Sequence, residues 1–477
     1  MGALKRHSPA AAMAAGKMAQ RVRDYRAHHG APLPSGLAAL QEAPLIQQAA
    51  NHTETLANEA DFYENVDLCT QILNVEDRIV QSTGTLIHGQ PIEHYAQTSA
   101  SQYISPYDSS IILECKITKA DGTDIDANAQ IAPVNNIAHS LFSSIEVYVN
   151  GIKVTQPHNL YPYVAYLLQM TSYESEVLKK LKRCEGWRGD TSGKFDRADN
   201  TNAGWEARRE RWARSVVVPL EFRPMVSFFL QDKLIPGNIP ILIRLHPNRD
   251  EFVLMGADDT PYRMQIVSSK LRLCVKHVSP TLLQMHMQML QRQPFRYLYT
   301  DILPKTHVIP KGASNFSINN IYDSTLPDVV TMVVVDSLHM NGTTRTNPLW
   351  LQHLNARSIQ LESNGQLKPA EAFETNFTSL PQVVTTAFNH QMRQLDILNS
   401  NSAPAIDEID WANGYTFYVF NIAALVNNPN VKSPATSGSI TIKGTLRTET
   451  TQTMTIILIA EYYKQVMTID AWRQVTT

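Results

Sequence analysis

Apolar and polar residues alternate through Ser144 to Val154 (SIEVYVNGIKV). Ile145, Val147 and Val149 take turns with Glu146, Tyr148 and Asn150, the two-residue period of a half-buried strand. Asn150-Gly151 then supplies two residues that tolerate positive φ, as a tight hairpin turn requires. Ile152 and Val154 open the returning strand. The same arrangement recurs in the second half of the chain, from Arg357 to Lys368 (RSIQLESNGQLK), with Ile359 and Leu361 alternating and Asn364-Gly365 at the turn. An aromatic segment follows each hairpin: Tyr161 to Tyr166 (YPYVAY) after the first, Phe373 to Phe377 (FETNF) after the second. The pattern predicts two copies of one all-β module, each built around such a hairpin.

Further strands fit both halves. In the first module they fall at Ser109 to Thr118, turned by Asp121-Gly122, at Ile241, Ile243 and Leu245 after the Pro236-Gly237 turn, and at Gln265 to His277. Tyr161 to Met170 has helical spacing and is expected to lie over one end of the sandwich. In the second module strands are predicted at Val329 to Val335, Ser358 to Glu362, Tyr415 to Ile422, Ser439 to Leu446 and Met454 to Tyr463, with turns at Asn341-Gly342 and Asn413-Gly414. Such spacing means sandwich or barrel, with no helices to cover a parallel sheet. Between the halves, Thr281 to Gln291 (TLLQMHMQMLQ) is Met-rich and helix-like, and reads as core or linker packing rather than a metal-binding run. The organisation is then an N-terminal basic arm over 1–65, a first module over 66–278 and a second over 279–477.

Composition narrows the class. Of the 477 residues 43% are hydrophobic and 18% charged, enough apolar material for sizeable cores and too little charge for a disordered chain. The formal net charge of −2 makes nucleic acid no obvious partner for the whole protein. Cys69, Cys115, Cys184 and Cys274 lie far apart without zinc spacing, which points to reduced thiols in an intracellular setting. The sequons at Asn51, Asn315, Asn341 and Asn376 then read as accidental. No apolar run is long enough to span a bilayer, so a soluble protein is expected. The arm carries Lys5, Arg6, Lys17, Arg21, Arg23 and Arg26. It is either a solvated terminus or an internal arm touching DNA or a membrane surface.

One stretch breaks the β pattern. Ser172 to Ser215 carries eleven Lys and Arg residues among eight Asp and Glu residues, with Trp187, Trp205 and Trp212 interspersed. Because a sandwich core cannot hold so much charge, it is expected to be a surface insertion. Trp187, Trp205, Arg208, Arg209, Arg211 and Trp212 are the candidate surface or inter-subunit contacts, since aromatics with arginine anchor interfaces; a loop folded on its own domain is the alternative. For catalysis there is no positive signal. The glycine-rich phosphate loops, H-E-x-x-H and G-x-S-x-G are absent,. Asp407, Glu408 and Asp410 form the tightest acidic group, and a charged loop guarding a strand end suits them better than a metal site. No cofactor and no metal are expected.

These residues resemble a known family. Val134 to Val154 (VNNIAHSLFSSIEVYVNGIKV), Tyr161 to Tyr166, Asp232 to Leu245 (DKLIPGNIPILIRL) and Asp250 to Leu254 (DEFVL) carry the likeness in the first half. Leu326 to Val335 (LPDVVTMVVV), Asn347-Pro-Leu349 and Ser358 to Leu367 (SIQLESNGQL) carry it in the second. Their order and spacing, over about Leu86 to Thr468, resemble the double jelly-roll major capsid proteins of Maverick/Polinton elements and adintoviruses. Adenovirus hexon and virophage capsid proteins are more distant members. The resemblance implies two tandem eight-stranded jelly-roll sandwiches with short helices in the loops. It also implies homotrimers of pseudo-hexagonal outline tiling an icosahedral shell around double-stranded DNA, in a virion assembled inside the host cell, in its nucleus. Penton and minor capsid proteins are the further partners it implies. A jelly-roll enzyme or carbohydrate-binding protein, and a domesticated capsid gene with a cellular role, are the alternatives.

Overall fold

A computed structural model of the chain describes residues 69–476 apart from 157, 258–259, 323–324, 379–381, 398–404 and 424–432. The alternating stretches become sixteen principal strands among the described residues. The first eight are β1 (Ile72–Gln81), β2 (Ile92–Ala96), β3 (Gln102–Lys119), β4 (Phe142–Val149), β5 (Ile152–Lys153), β6 (Val218–Phe222), β7 (Ile241–Pro247) and β8 (Tyr262–Val278). The second eight are β9 (Phe295–Ile309), β10 (Asn315–Asn319), β11 (Val329–Asp336), β12 (Ala356–Ser363), β13 (Gln366–Lys368), β14 (Tyr418–Asn421), β15 (Ile440–Leu446) and β16 (Met454–Ile469). Four helices of at least ten residues join them: α1 (Tyr161–Ser172), α2 (Ala203–Trp212), α3 (Pro280–Leu290) and α4 (Thr385–Gln394).

The first eight strands form two antiparallel sheets of order β1-β8-β3-β6 and β2-β7-β4-β5. The second eight repeat this as β9-β16-β11-β14 and β10-β15-β12-β13. Adding eight to each strand number converts one set into the other, and each order is that of a jelly roll, with two four-stranded sheets face to face. The predicted hairpins are the β4–β5 and β12–β13 connections. Their turn residues take the left-handed conformation the sequence implied: Asn150 at φ 49° and Gly151 at 80°, Asn364 at 50° and Gly365 at 78°.

Burial follows the two-residue period. Ile111, Leu113, Cys115 and Ile117 of β3, Ile145, Val147 and Val149 of β4, and Ile241, Ile243 and Leu245 of β7 are all buried, and their neighbours alternate outward. Each such Val, Ile or Leu stabilises the sandwich by about 1.5–3 kcal/mol. β11 is buried at all eight positions, so this continuous apolar run is covered on both faces.

Several expectations change. Asn341-Gly342 and Asn413-Gly414 turn the chain at the ends of the short helices Ser337–Asn341 and Glu408–Ala412 rather than between strands. Phe373 to Phe377 forms no counterpart of α1; the second-half helix is α4, farther along the chain. α3 has no buried residue and connects β8 to β9, so of core and linker packing the Met-rich stretch is linker. β1, β2, β6, β9 and β10 have no counterpart among the predicted strands. β1 is an edge strand exposing Leu73, Val75 and Ile79, and β10 has only five residues.

Candidate functional site

Between β5 and β6 the chain makes its longest excursion in the first sandwich, running through α1 and then residues 173–217. α1 starts with Pro162 in its first turn, where a missing N–H costs nothing, and buries Tyr161, Tyr163 and Tyr166 completely. α2 is capped by Asn202, whose side-chain oxygen accepts from the Trp205 N–H at 3.3 Å,. Trp205, Arg208 and Trp212 fall at i, i+3 and i+7, on one helix face. That face packs against the two-stranded ribbon of residues Ile131–Pro133 and Leu254–Gly256, with Trp205 Nε1 donating to the Met255 carbonyl at 3.0 Å. A Cβ on Gly204 would lie 2.0 Å from the Gly189 carbonyl oxygen, so only glycine admits this close approach.

Arg208 is the centre of the excursion. Its Nε donates to the Pro133 carbonyl at 2.7 Å, Nη1 to the Arg188 carbonyl at 2.5 Å and Nη2 to Asp190 Oδ1 at 2.6 Å. Asp190 also accepts from Asn202 Nδ2 at 2.9 Å. Its other oxygen accepts from Asn347 Nδ2 of the second sandwich at 3.0 Å. The Asp190 carbonyl accepts from the Tyr415 hydroxyl at 2.7 Å, and the Gly193 N–H donates to the Asn413 carbonyl at 2.7 Å. Phe195 stacks on Trp350 (6.2 Å between centroids) and meets Tyr415 edge-on at 4.9 Å. The excursion is therefore a clasp: it leaves the first sandwich and grips the second.

A second seam joins the sandwiches at the opposite ends of their long strands. Tyr297 Oη donates to the Leu234 carbonyl at 3.0 Å, and Gln231 Nε2 donates to the Leu298 carbonyl at 3.0 Å. Gln156 Nε2 donates to Asp301 at 2.8 Å. Two separated seams resist rotation of one sandwich against the other far better than one hinge-like contact.

The surface expectation for this segment is corrected at four of its six residues. Trp187, Trp205, Arg208 and Trp212 are buried within the chain; Trp187 stacks on Tyr166 at 5.3 Å. The charge argument failed at Arg208 because a carboxylate and two carbonyls satisfy the guanidinium in place of water. Arg209 is half-buried and pairs with Glu206 at 2.5 Å, and Arg211 is exposed. Lys5, Arg6, Lys17, Arg21, Arg23 and Arg26 lie outside the described residues. Asp190, Asn347 and Tyr415 complete the clasp; Asn347 opens the Asn347-Pro-Leu349 segment and Tyr415 starts a predicted strand, but neither reading pointed to this contact, since the pairing spans both modules.

Charge within the clasp is largely matched. Glu185, buried, accepts from Lys182 at 2.6 Å and lies 3.2 Å from His139. Burial pushes the Glu185 carboxyl up, but His139 and Lys182 outweigh it and hold it below the ordinary value. Burial pushes the His139 imidazole down, against the opposing pull of the Glu185 carboxylate,. Beside the clasp opens a cleft of about 710 Å³, with Lys179, Arg183 and Arg188 on one wall and Asp407, Glu408 and Asp410 on the other. Asp407 caps the helix Glu408–Ala412, accepting from the Asp410 N–H at 2.8 Å, so the acidic group is a helix start rather than a strand-end loop. No group of side chains able to hold a metal ion occurs among the described residues, and no described helix is long and apolar enough to cross a membrane.

No protein-family model matches the chain. An uncharacterized protein of Caenorhabditis elegans, F54H12.2, is 17% identical over 395 residues, which cover 80% of this chain and 92% of that protein. A chain in the structure of the Sputnik virophage superposes with a TM-score of 0.59 at 10% identity, covering 89% of this chain and 92% of the other. A chain of the PBCV-1 virus capsid superposes with a TM-score of 0.51 at 10% identity, covering 87% and 99%. Strand order and superposition agree: this chain is a double jelly roll, two eight-stranded sandwiches locked side by side by a clasp from the first.

Proposed function

We propose that this chain is a major capsid protein, a structural building block whose work is binding copies of itself. The observation that carries the reading is the repeated strand order held in one rigid unit. One chain then presents two similar wedges, so a threefold axis produces a pseudo-hexagonal tile. A loose pair of sandwiches could not tile, and the clasp and second seam answer that need. The double jelly roll shared with the Sputnik virophage and PBCV-1 virus capsid chains supports the same role. Near-zero net charge suits a shell packed against copies of itself, and many modest contacts in a closed assembly reinforce one another.

In this reading the trimer is the assembly unit, the shell encloses double-stranded DNA, and penton and minor capsid proteins fill the remaining positions. The basic arm over 1–65 faces inward, toward packaged DNA or an internal membrane. The relative in Caenorhabditis elegans favours a second reading, a capsid-type gene kept by an animal genome; it uses the same self-association. Negative-stain microscopy of the expressed protein tests the proposal. Hexagonally outlined trimers or closed shells are expected; uniform single-chain globules at micromolar concentration would refute it.

A further inference from the structure

The exposed methionine stripe of α3 has no partner among the described residues, although α3 itself is anchored. On one side Leu283, His286 and Leu290 line a small cavity against the body of the molecule. There Tyr103 stacks on His286 at 5.7 Å, its hydroxyl 3.0 Å from His286 Nδ1, and Phe295 meets the same ring edge-on at 5.5 Å. Leu282, Met285 and Met289, spaced i, i+3 and i+7, form a second apolar stripe well away from the first. Met285 and Met289 are each 44% exposed. A helix with two apolar stripes and one docked face leaves the other in water, which is unfavourable.

Two observations say what covers it. The described chain begins beside this helix: the Ser279 N–H, at the α3 N-cap, donates to the Gln71 carbonyl at 2.9 Å. α3 has 11 residues and is about 16 Å long at 1.5 Å per residue. A handful of residues before Cys69, at about 3.3 Å each when extended, suffices to run its length. The charges also complement each other. Residues 51–68 carry Glu54, Glu59, Asp61, Glu64 and Asp67, no Lys or Arg, and the apolar Leu56, Phe62, Tyr63, Val66 and Leu68. Residues 280–296 carry no Asp or Glu, and Arg292 and Arg296 are exposed.

We propose that residues 51–68 of the same chain dock on the Leu282, Met285 and Met289 stripe of α3, their carboxylates facing Arg292 and Arg296. Residues 51–65 of the arm then serve as a tether, and in the capsid reading the part facing inward is the stretch before them, which holds all of the arm's Lys and Arg residues. This inference does not depend on the capsid reading, since it concerns a contact within one chain.

Methionine oxidation by dilute peroxide tests it, read by peptide mass spectrometry on the full chain and on a full-chain variant carrying Glu59→Lys, Asp61→Lys, Glu64→Lys and Asp67→Lys. Met332, fully buried in β11, is the internal control for folding. Met285 and Met289 are expected to oxidise about fivefold or more faster in the variant than in the wild type, with Met332 unchanged. Equal rates would overturn the proposal. So would protection of wild-type Met285 that vanishes on dilution, which assigns the stripe to a second copy. A Tyr63→Cys, Met285→Cys pair supplies the second readout: a disulfide within one chain is expected, and a disulfide between chains overturns it.

Discussion

Arg208 shows how one side chain can be more informative than its charge. Its guanidinium is buried with Asp190 and two backbone carbonyls. Removing it strands a buried carboxylate, and breaking such a pair costs about 3–5 kcal/mol. Arg208→Ala is therefore expected to lower unfolding stability by that amount in denaturant titration. Arg209→Ala loses a partly solvated pair with Glu206 and is expected to change stability by less than about 1 kcal/mol. Equal effects would mean Arg208 is not the centre of the clasp. Glu461 makes a different residue-level case. Burial pushes its carboxyl up to about 7; a hydrogen bond to Tyr463 opposes this and the neighbouring Asp328 carboxylate adds to it. A carboxyl whose pKa rises on folding favours the protonated fold. Its penalty is absent below the unfolded value of 4.5, grows as pH rises and levels off above about 7. Glu461→Gln is thus expected to stabilise the protein at pH 8, by up to about 3 kcal/mol, and to match the wild type at pH 4. A pH-independent difference between the two would contradict this.

At the scale of elements, the hairpins and the clasp mark the two limits of what sequence reveals. β4–β5 and β12–β13 were legible because a strand's period and an Asn-Gly turn are local facts. The long strands β3, β8 and β16 were legible in part, from the alternation in their interiors, and extend beyond it at both ends. β1 was not, because an edge strand needs to bury little and its apolar residues follow no clean period. The clasp was misread for a physical reason. Whether a charged, Trp-containing segment lies on the surface depends on acceptors such as Pro133 and Asn347, which lie far from it along the chain. The basic cluster of the arm was plain, but its placement falls outside the described residues. The clasp also yields an element-level test. Gly204→Ala places a methyl against the Gly189 backbone. It is expected to raise amide exchange across residues 187–204 while the β11 amides stay protected, as local opening should. Unchanged exchange over 187–204 would show that the close approach is not needed.

For the whole molecule, two like sandwiches held at two seams make sense as one rigid wedge pair repeated around an axis. Deleting residues 1–50 removes the basic arm and leaves both sandwiches and residues 51–68 intact. Trimers of normal mass are expected from that truncation, with closed or filled particles lost; normal filled particles would remove any role for the arm. The proposed function rests on self-association with threefold symmetry, and the solution mass of the purified full chain, by light scattering coupled to size-exclusion chromatography, tests it most directly. A mass three times that of the chain, stable on dilution through the micromolar range, is the expected result. A single-chain mass that persists at high concentration would contradict it.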